Sequence, residues 1–213
     1  MTTTDMTASA APVSLDLDFR GPFTFAAGPR SLFDCADRSV SSVYVWTIRS
    51  ERDSRYYVHY VGEAEHFARR QREHLVHVLG LNYGILDPAA ARRGEVRWVG
   101  RGLWRDRTPA GPADALARYP LLTAAVTEYL EALDVFVAPV EGDRAFRRRV
   151  ERALADRLRL DRPESGVLYP ADNRVSGAPG RDELHLHISG AAPIAGIEGV
   201  LVIPSTPVRP AVR

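Results

Sequence analysis

Four side chains between residues 44 and 74 are spaced for phosphate chemistry. Tyr44 sits in the run Val43-Tyr44-Val45 and Tyr60 in the run Tyr60-Val61-Gly62. Arg70 follows Tyr60 by ten residues, and His74 follows Arg70 by four. On a helix, residues four apart share a face. Two phenols, a guanidinium and an imidazole meeting on one patch would suit a phosphodiester. The guanidinium matches its charge and fork geometry, and the phenols and imidazole can move protons.

These residues need elements to carry them. Ser41 to Arg49 reads as a strand, with Val43 and Val45 on one face and Tyr44 and Trp46 on the other. The polar stretch 51–54 is a turn. Tyr56 to Val61 reads as the returning strand of a hairpin, with Tyr56, Val58 and Tyr60 on one face. A helix is expected from Glu65 to Leu79, stopped by Gly80, with Phe67, Leu75, Val78 and Leu79 as its apolar stripe. A second helix is expected from Pro112 to about Leu133, broken near Pro120. The apolar run Asp134 to Val140 suits a buried strand. A third helix follows over Asp143 to Leu160, burying Phe146, Val150, Leu154 and Leu158. Residues 16 to 34 read as a short strand or an arm laid on the core. Leu184 to Ser189 and Ile197 to Ile203 read as short terminal strands or extended segments.

The two triplets, Ser42-Val43-Tyr44 and Tyr60-Val61-Gly62, with Arg70 and His74 behind them, resemble the signature of the GIY-YIG nuclease superfamily. The resemblance covers about residues 41 to 173. It implies an α+β fold: a small three-stranded, mostly antiparallel sheet flanked by helices. The domain would span 41–175 with a helical insertion at about 81–133. An N-terminal tail and arm (1–40) and a C-terminal extension (176–213) packed on the same domain complete the chain. The N-Y-x-I-x-D-P run from Asn82 and the G-L-W-R run from Gly102 look like the insertion of stand-alone bacterial members.

The resemblance also assigns roles. Tyr44 would serve as general base or hold the water, with His74 drawing its proton away. Arg70 would clamp the phosphate and Tyr60 would orient it. In the superfamily a glutamate on the helix after the third strand ligates the metal. Glu151, with Leu154 and Leu158, fits that pattern, and Glu128 and Glu131 compete with it. One Mg²⁺ (or Mn²⁺) held by Glu151 and several waters is chemically sufficient. Asn173 is the downstream candidate for the asparagine that lines the site. Two departures stand out: Ser42 replaces the first signature glycine, and Glu63 places a carboxylate beside the second triplet.

Arg69, Arg97, Arg101 and Arg105, interleaved with Trp98 and Trp104, are candidates for gripping a nucleic acid, since aromatics stack on bases and arginines hold the backbone. Packing of both tryptophans against the core is the competing reading. The formal net charge is only +1, yet all 28 basic residues are arginine, the better bidentate phosphate ligand. A GC-rich coding bias would give the same composition. The single cysteine, Cys35, excludes an internal disulfide and a thiolate zinc site. His185 and His187 share a strand face; they read as surface residues, with a metal pair as the competing reading. No segment reads as a membrane span or a signal peptide, so a cytoplasmic location is expected, and the oligomeric state stays open. The activity these readings imply is metal-dependent DNA cleavage. The alternatives are a nucleic-acid-binding module that does not cleave and a small-molecule enzyme reusing the same pocket.

Overall fold

The computed structural model describes residues 12–105, 108, 110–160, 182–190 and 192–205. In chain order the elements are β1 (Val13–Phe23), β2 (Ser42–Arg49), β3 (Tyr56–Ala64) and α1 (Phe67–Leu79). Then come β4 (Ile85–Leu86), α2 (Pro88–Arg92), β5 (Trp98–Gly100), α3 (Gly111–Ala117) and α4 (Tyr119–Ala132). The chain closes with β6 (Leu133–Pro139), α5 (Arg144–Leu160), β7 (Leu184–Gly190), β8 (Ile194–Ala195) and β9 (Gly199–Ile203). Among the described residues no helix is long and apolar enough to cross a membrane.

The expected three-stranded sheet is not what forms. The main sheet has seven strands in the order β8-β3-β2-β6-β1-β7-β9. It is mixed: β1 pairs parallel with β7 and β3 pairs parallel with β8, and the other pairs are antiparallel. The anticipated strands β3, β2 and β6 are neighbours within it, but four of the seven strands come from the two ends of the chain. The physical reason lies in β1. Leu15, Leu17 and Phe19 alternate with Asp16, Asp18 and Arg20, a half-buried strand pattern that the Gly21-Pro22 break disguises as an arm. Leu17 and Phe19 are fully buried, and Val13 to Phe19 pair in register with Leu184 to Gly190. The insertion is not purely helical either, because β4 and β5 form a small antiparallel ribbon beside α2, α3 and α4.

Apolar side chains cover both faces of the sheet. On one face Tyr44, Trp46, Ile48, Val135 and Val137 pack against α1 and α4. On the other, Val43, Val45, Val58, Val61 and Phe136 pack against α5, whose Val150, Leu154, Ala155 and Leu158 are buried. Each such fully buried side chain contributes about 1.5–3 kcal/mol relative to exposure.

A β-bulge in β3 decides which residues share the site. Trp46 pairs with Tyr60 but Thr47 pairs with Val58, so His59 is the extra residue. The expectation that Tyr56, Val58 and Tyr60 share a face fails for this reason. Tyr56 and Val58 pack on the α5 side, whereas Tyr60 packs on the α1 side, with Tyr44 and Trp46. Bulges commonly re-aim a side chain in this way.

Candidate active site

The site is built on β2, β3 and α1. Along α1 the buried residues are Phe67, Gln71, His74 and Val78, and Leu79 is exposed. This differs from the expected apolar stripe because two buried positions are polar and hydrogen-bonded, Gln71 through its Oε1 only, its Nε2 having no partner. The Trp46 indole Nε1–H donates to Gln71 Oε1 at 2.8 Å, and the Tyr44 hydroxyl and His74 Nε2 are hydrogen-bonded at 2.7 Å. Buried polar groups persist where such partners exist. His74 Nδ1 bonds the Tyr83 hydroxyl at 3.0 Å. His74 is thus held at both ring nitrogens, between a tyrosine of the sheet and one from the insertion.

Gly62 makes room for this arrangement. It is the cross-strand partner of Tyr44, whose ring lies against it. A Cβ at position 62 would stand 2.8 Å from Tyr44 Cε2 and closer still to Cζ and the hydroxyl. Tyr44 has no exposed surface, so its ring has nowhere to go. Gly62→Ala is therefore expected to cost about 1–3 kcal/mol, the usual range for overpacking. Urea denaturation checks this, and a variant as stable as wild type would contradict the packing described.

The electrostatics tie the remaining residues to the same place. Burial pushes the Tyr44 phenol well above its usual range; the charges of Tyr60 and Glu151 add to that push, and the Arg70 guanidinium opposes it. The Tyr60 phenol is likewise raised by burial and by Glu151, and lowered by Arg70. Burial, with the charges of Arg70 and His77, holds His74 down to about 3, so it is neutral at physiological pH. Arg70 is half-exposed at the rim, its Nη1 donating to Glu73 Oε2 at 2.7 Å. Tyr44, Tyr60, Arg70, His74 and Glu151 form one interacting group.

Glu151 reaches this group from α5, on the other side of the sheet. It is buried, and its carboxyl is pushed up to about 7 by burial first and by the Glu63 carboxylate second. Glu63 faces α5, away from Arg70. Arg144 Nε donates to one of its oxygens at 3.1 Å and Arg147 Nε to the other at 3.2 Å. A carboxylate beside the second triplet would repel a phosphate, and these two arginines offset its charge. Among the described residues no three His, Cys, Asp or Glu side chains cluster as a metal site. With Glu63 taken by Arg144 and Arg147, Glu151 is the carboxyl left to a hard cation that keeps most of its waters.

The other candidates fall in different places. Asn173 lies outside the described residues. Glu128 and Glu131 are exposed on α4. Arg69 is exposed and 3.9 Å from Glu65, and Arg97 is paired with Asp87. Trp98, Arg101, Trp104 and Arg105 line a cavity next to the site. His185 Nε2 is 2.7 Å from Glu183, and His187 is exposed. Ser42 is fully buried, its Oγ without a hydrogen-bond partner. Tyr83 and Gln71 were not anticipated. The Asn82-Tyr83 run marked the segment, but contact with His74 depends on how the insertion folds back.

No family model, curated protein or solved structure matches this chain. The site therefore rests on its own geometry.

Proposed function

We propose that this chain is a divalent-metal-dependent endonuclease of the GIY-YIG type that hydrolyses DNA phosphodiester bonds. The observation that supports it most is the 2.7 Å bond between the Tyr44 hydroxyl and His74 Nε2, beside the Arg70 guanidinium and the Tyr60 phenol. A phenol raised by burial is a poor base alone. A neutral imidazole in hydrogen-bond contact can take the phenol's proton as the phenol takes one from water. The imidazole's other nitrogen, held by Tyr83, keeps the ring aimed. Arg70 exchanges Glu73 for the phosphate oxygens, and a bound phosphate offsets the guanidinium charge that depresses His74. Tyr60 donates to a phosphate oxygen. Glu151, with Glu63 behind it, would hold Mg²⁺ or Mn²⁺, which when bound would stabilise charge on the departing oxygen.

A second reading, a nucleic-acid-binding module that does not cleave, draws on the depth of Tyr44, which has no exposed surface. Incubating supercoiled plasmid and a labelled single strand with the full chain in Mg²⁺, Mn²⁺ or EDTA separates the two. The nuclease reading predicts metal-dependent nicking that Glu151→Ala lowers by at least about 100-fold. Binding without cleavage in any metal would leave the second reading.

A further inference from the structure

Beside the Tyr44–His74 pair lies a cavity of about 350 Å³, within the range of small-ligand pockets. Its walls are aromatic. Trp46, His59, Tyr60 and Tyr129 come from the sheet and α4, and Tyr83, Trp98 and Trp104 come from the insertion. Among the described residues no aliphatic side chain lines it. All three tryptophans of the chain do. Gly84 lets Trp98 in: a Cβ there would stand 2.8 Å from Trp98 Cζ3. An apolar ligand would ordinarily be met by aliphatic walls as well. Flat rings alone suit a flat, π-faced ligand.

The polar groups are few and placed at the edges. His59 is 94% buried (6% exposed) and lines the cavity. Its Nε2 pairs with the Tyr129 hydroxyl at 2.5 Å, and its Nδ1 has no hydrogen-bond partner. An orphan buried nitrogen costs stability unless something completes it. Arg101 and Arg105, exposed at the rim, add two cations, and Asn82 an amide. Tyr60 and Tyr83 belong to the cavity and to the Tyr44–His74 group alike, so a phosphate held at Arg70 would bring its neighbouring base to this opening.

We infer that the cavity receives one unstacked nucleobase of the bound strand, next to the phosphate being cleaved, with the tryptophans and tyrosines stacking on its faces and His59 Nδ1 and Asn82 meeting its edge. This rests on the nuclease reading for the position of the phosphate. It implies that the enzyme favours single-stranded or distorted DNA, where extruding a base costs least.

The test is binding by the full chain in EDTA, followed by titration calorimetry and by tryptophan fluorescence. The probes are 5′-dTMP, 5′-dAMP, base-less deoxyribose 5-phosphate and the trinucleotide d(TTT). The nucleotides are expected to bind at least about fivefold more tightly than deoxyribose 5-phosphate and to quench tryptophan fluorescence, which the sugar phosphate does not. Trp98→Ala should erase that preference. If Trp98→Ala fails to fold, the wild-type quenching and the Asn82→Ala variant, expected to weaken nucleotide binding and not sugar-phosphate binding, carry the test. Equal binding of nucleotide and sugar phosphate overturns the proposal, as does a preference that survives Trp98→Ala. The trinucleotide should bind more tightly than dTMP; equal affinity would make the ligand a free nucleotide and overturn the strand assignment. Base-dependent binding with no cleavage in any metal would sink the nuclease reading and leave the cavity standing. Cleavage with no base dependence would do the reverse.

Discussion

Acidification from pH 7 to pH 4 is expected to destabilise this protein by about 3 kcal/mol at each of two buried histidines. Burial holds His59 down to about 4, and burial with nearby Arg70 and His77 holds His74 down to about 3. Both values lie below the ordinary histidine value of 6.5. In the unfolded chain each imidazole takes a proton near pH 6.5, and in the folded protein it stays neutral. The unfolded state thus binds more protons between about pH 6.5 and 4, and stability falls as pH falls through that window. A domain with the usual 5–15 kcal/mol of stability has little margin against two such losses. Urea midpoints measured every half unit from pH 7 to 4 check this. His59→Gln and His74→Gln should each flatten the acid limb by about one proton. Wild-type stability unchanged down to pH 4 would show that the two imidazoles are not buried and neutral as described.

Glu151 is expected to act in the opposite sense, by a similar amount. Its folded value of about 7 lies above the carboxylate's ordinary 4.5. The folded state keeps this proton while the unfolded chain has lost it. The associated stability is fully present below about pH 4.5 and is lost as pH rises through 7. The loss at pH 8 is about 3 kcal/mol. Glu151→Gln removes the ionisation, so in EDTA at pH 8 the variant should be more stable than wild type by about that amount. Its acid limb should steepen, because the opposing carboxyl term has gone. Millimolar Mg²⁺ at pH 8 should then raise the wild-type melting midpoint and leave that of Glu151→Gln unmoved. A variant no more stable than wild type in EDTA would place the Glu151 carboxylate in water rather than in a buried acidic pair.

The helix carrying Arg70 and His74 was legible because Phe67 and Val78 lie at helical spacing ahead of Gly80, although the strand before it runs on through Gly62 to Ala64. The packing of α5 was legible in the four-residue interval of Val150, Leu154 and Leu158. The face of Tyr60 was not. It turns on one extra residue, His59, and a period-two pattern carries no mark of a bulge. His74 was legible as a site residue at the edge of the apolar stripe, but its burial was not, nor was that of Gln71; Tyr44 bonds the first and Trp46 the Oε1 of the second. The seven-stranded sheet was hidden for a different reason. The alternation in Val13 to Phe19 is local, but its parallel partner, Leu184 to Gly190, is far along the chain. Local periodicity says that a strand exists, not which strand it joins. Tyr83 and the aromatic cavity share that difficulty, because they are assembled from three stretches separated in sequence.

The central claim is that Tyr44 and His74 together move the proton of hydrolysis. Single-turnover cleavage of a labelled strand by wild type and Tyr44→Phe, with Mg²⁺ at pH 8, tests it most directly. The ring and its packing on Gly62 survive in the phenylalanine variant, and only the hydroxyl is lost. The expected result is a cleavage rate lower by about 100-fold or more, the usual range for proton transfer by a positioned side chain, with the protein still folded. Cleavage by Tyr44→Phe at the wild-type rate would contradict the claim.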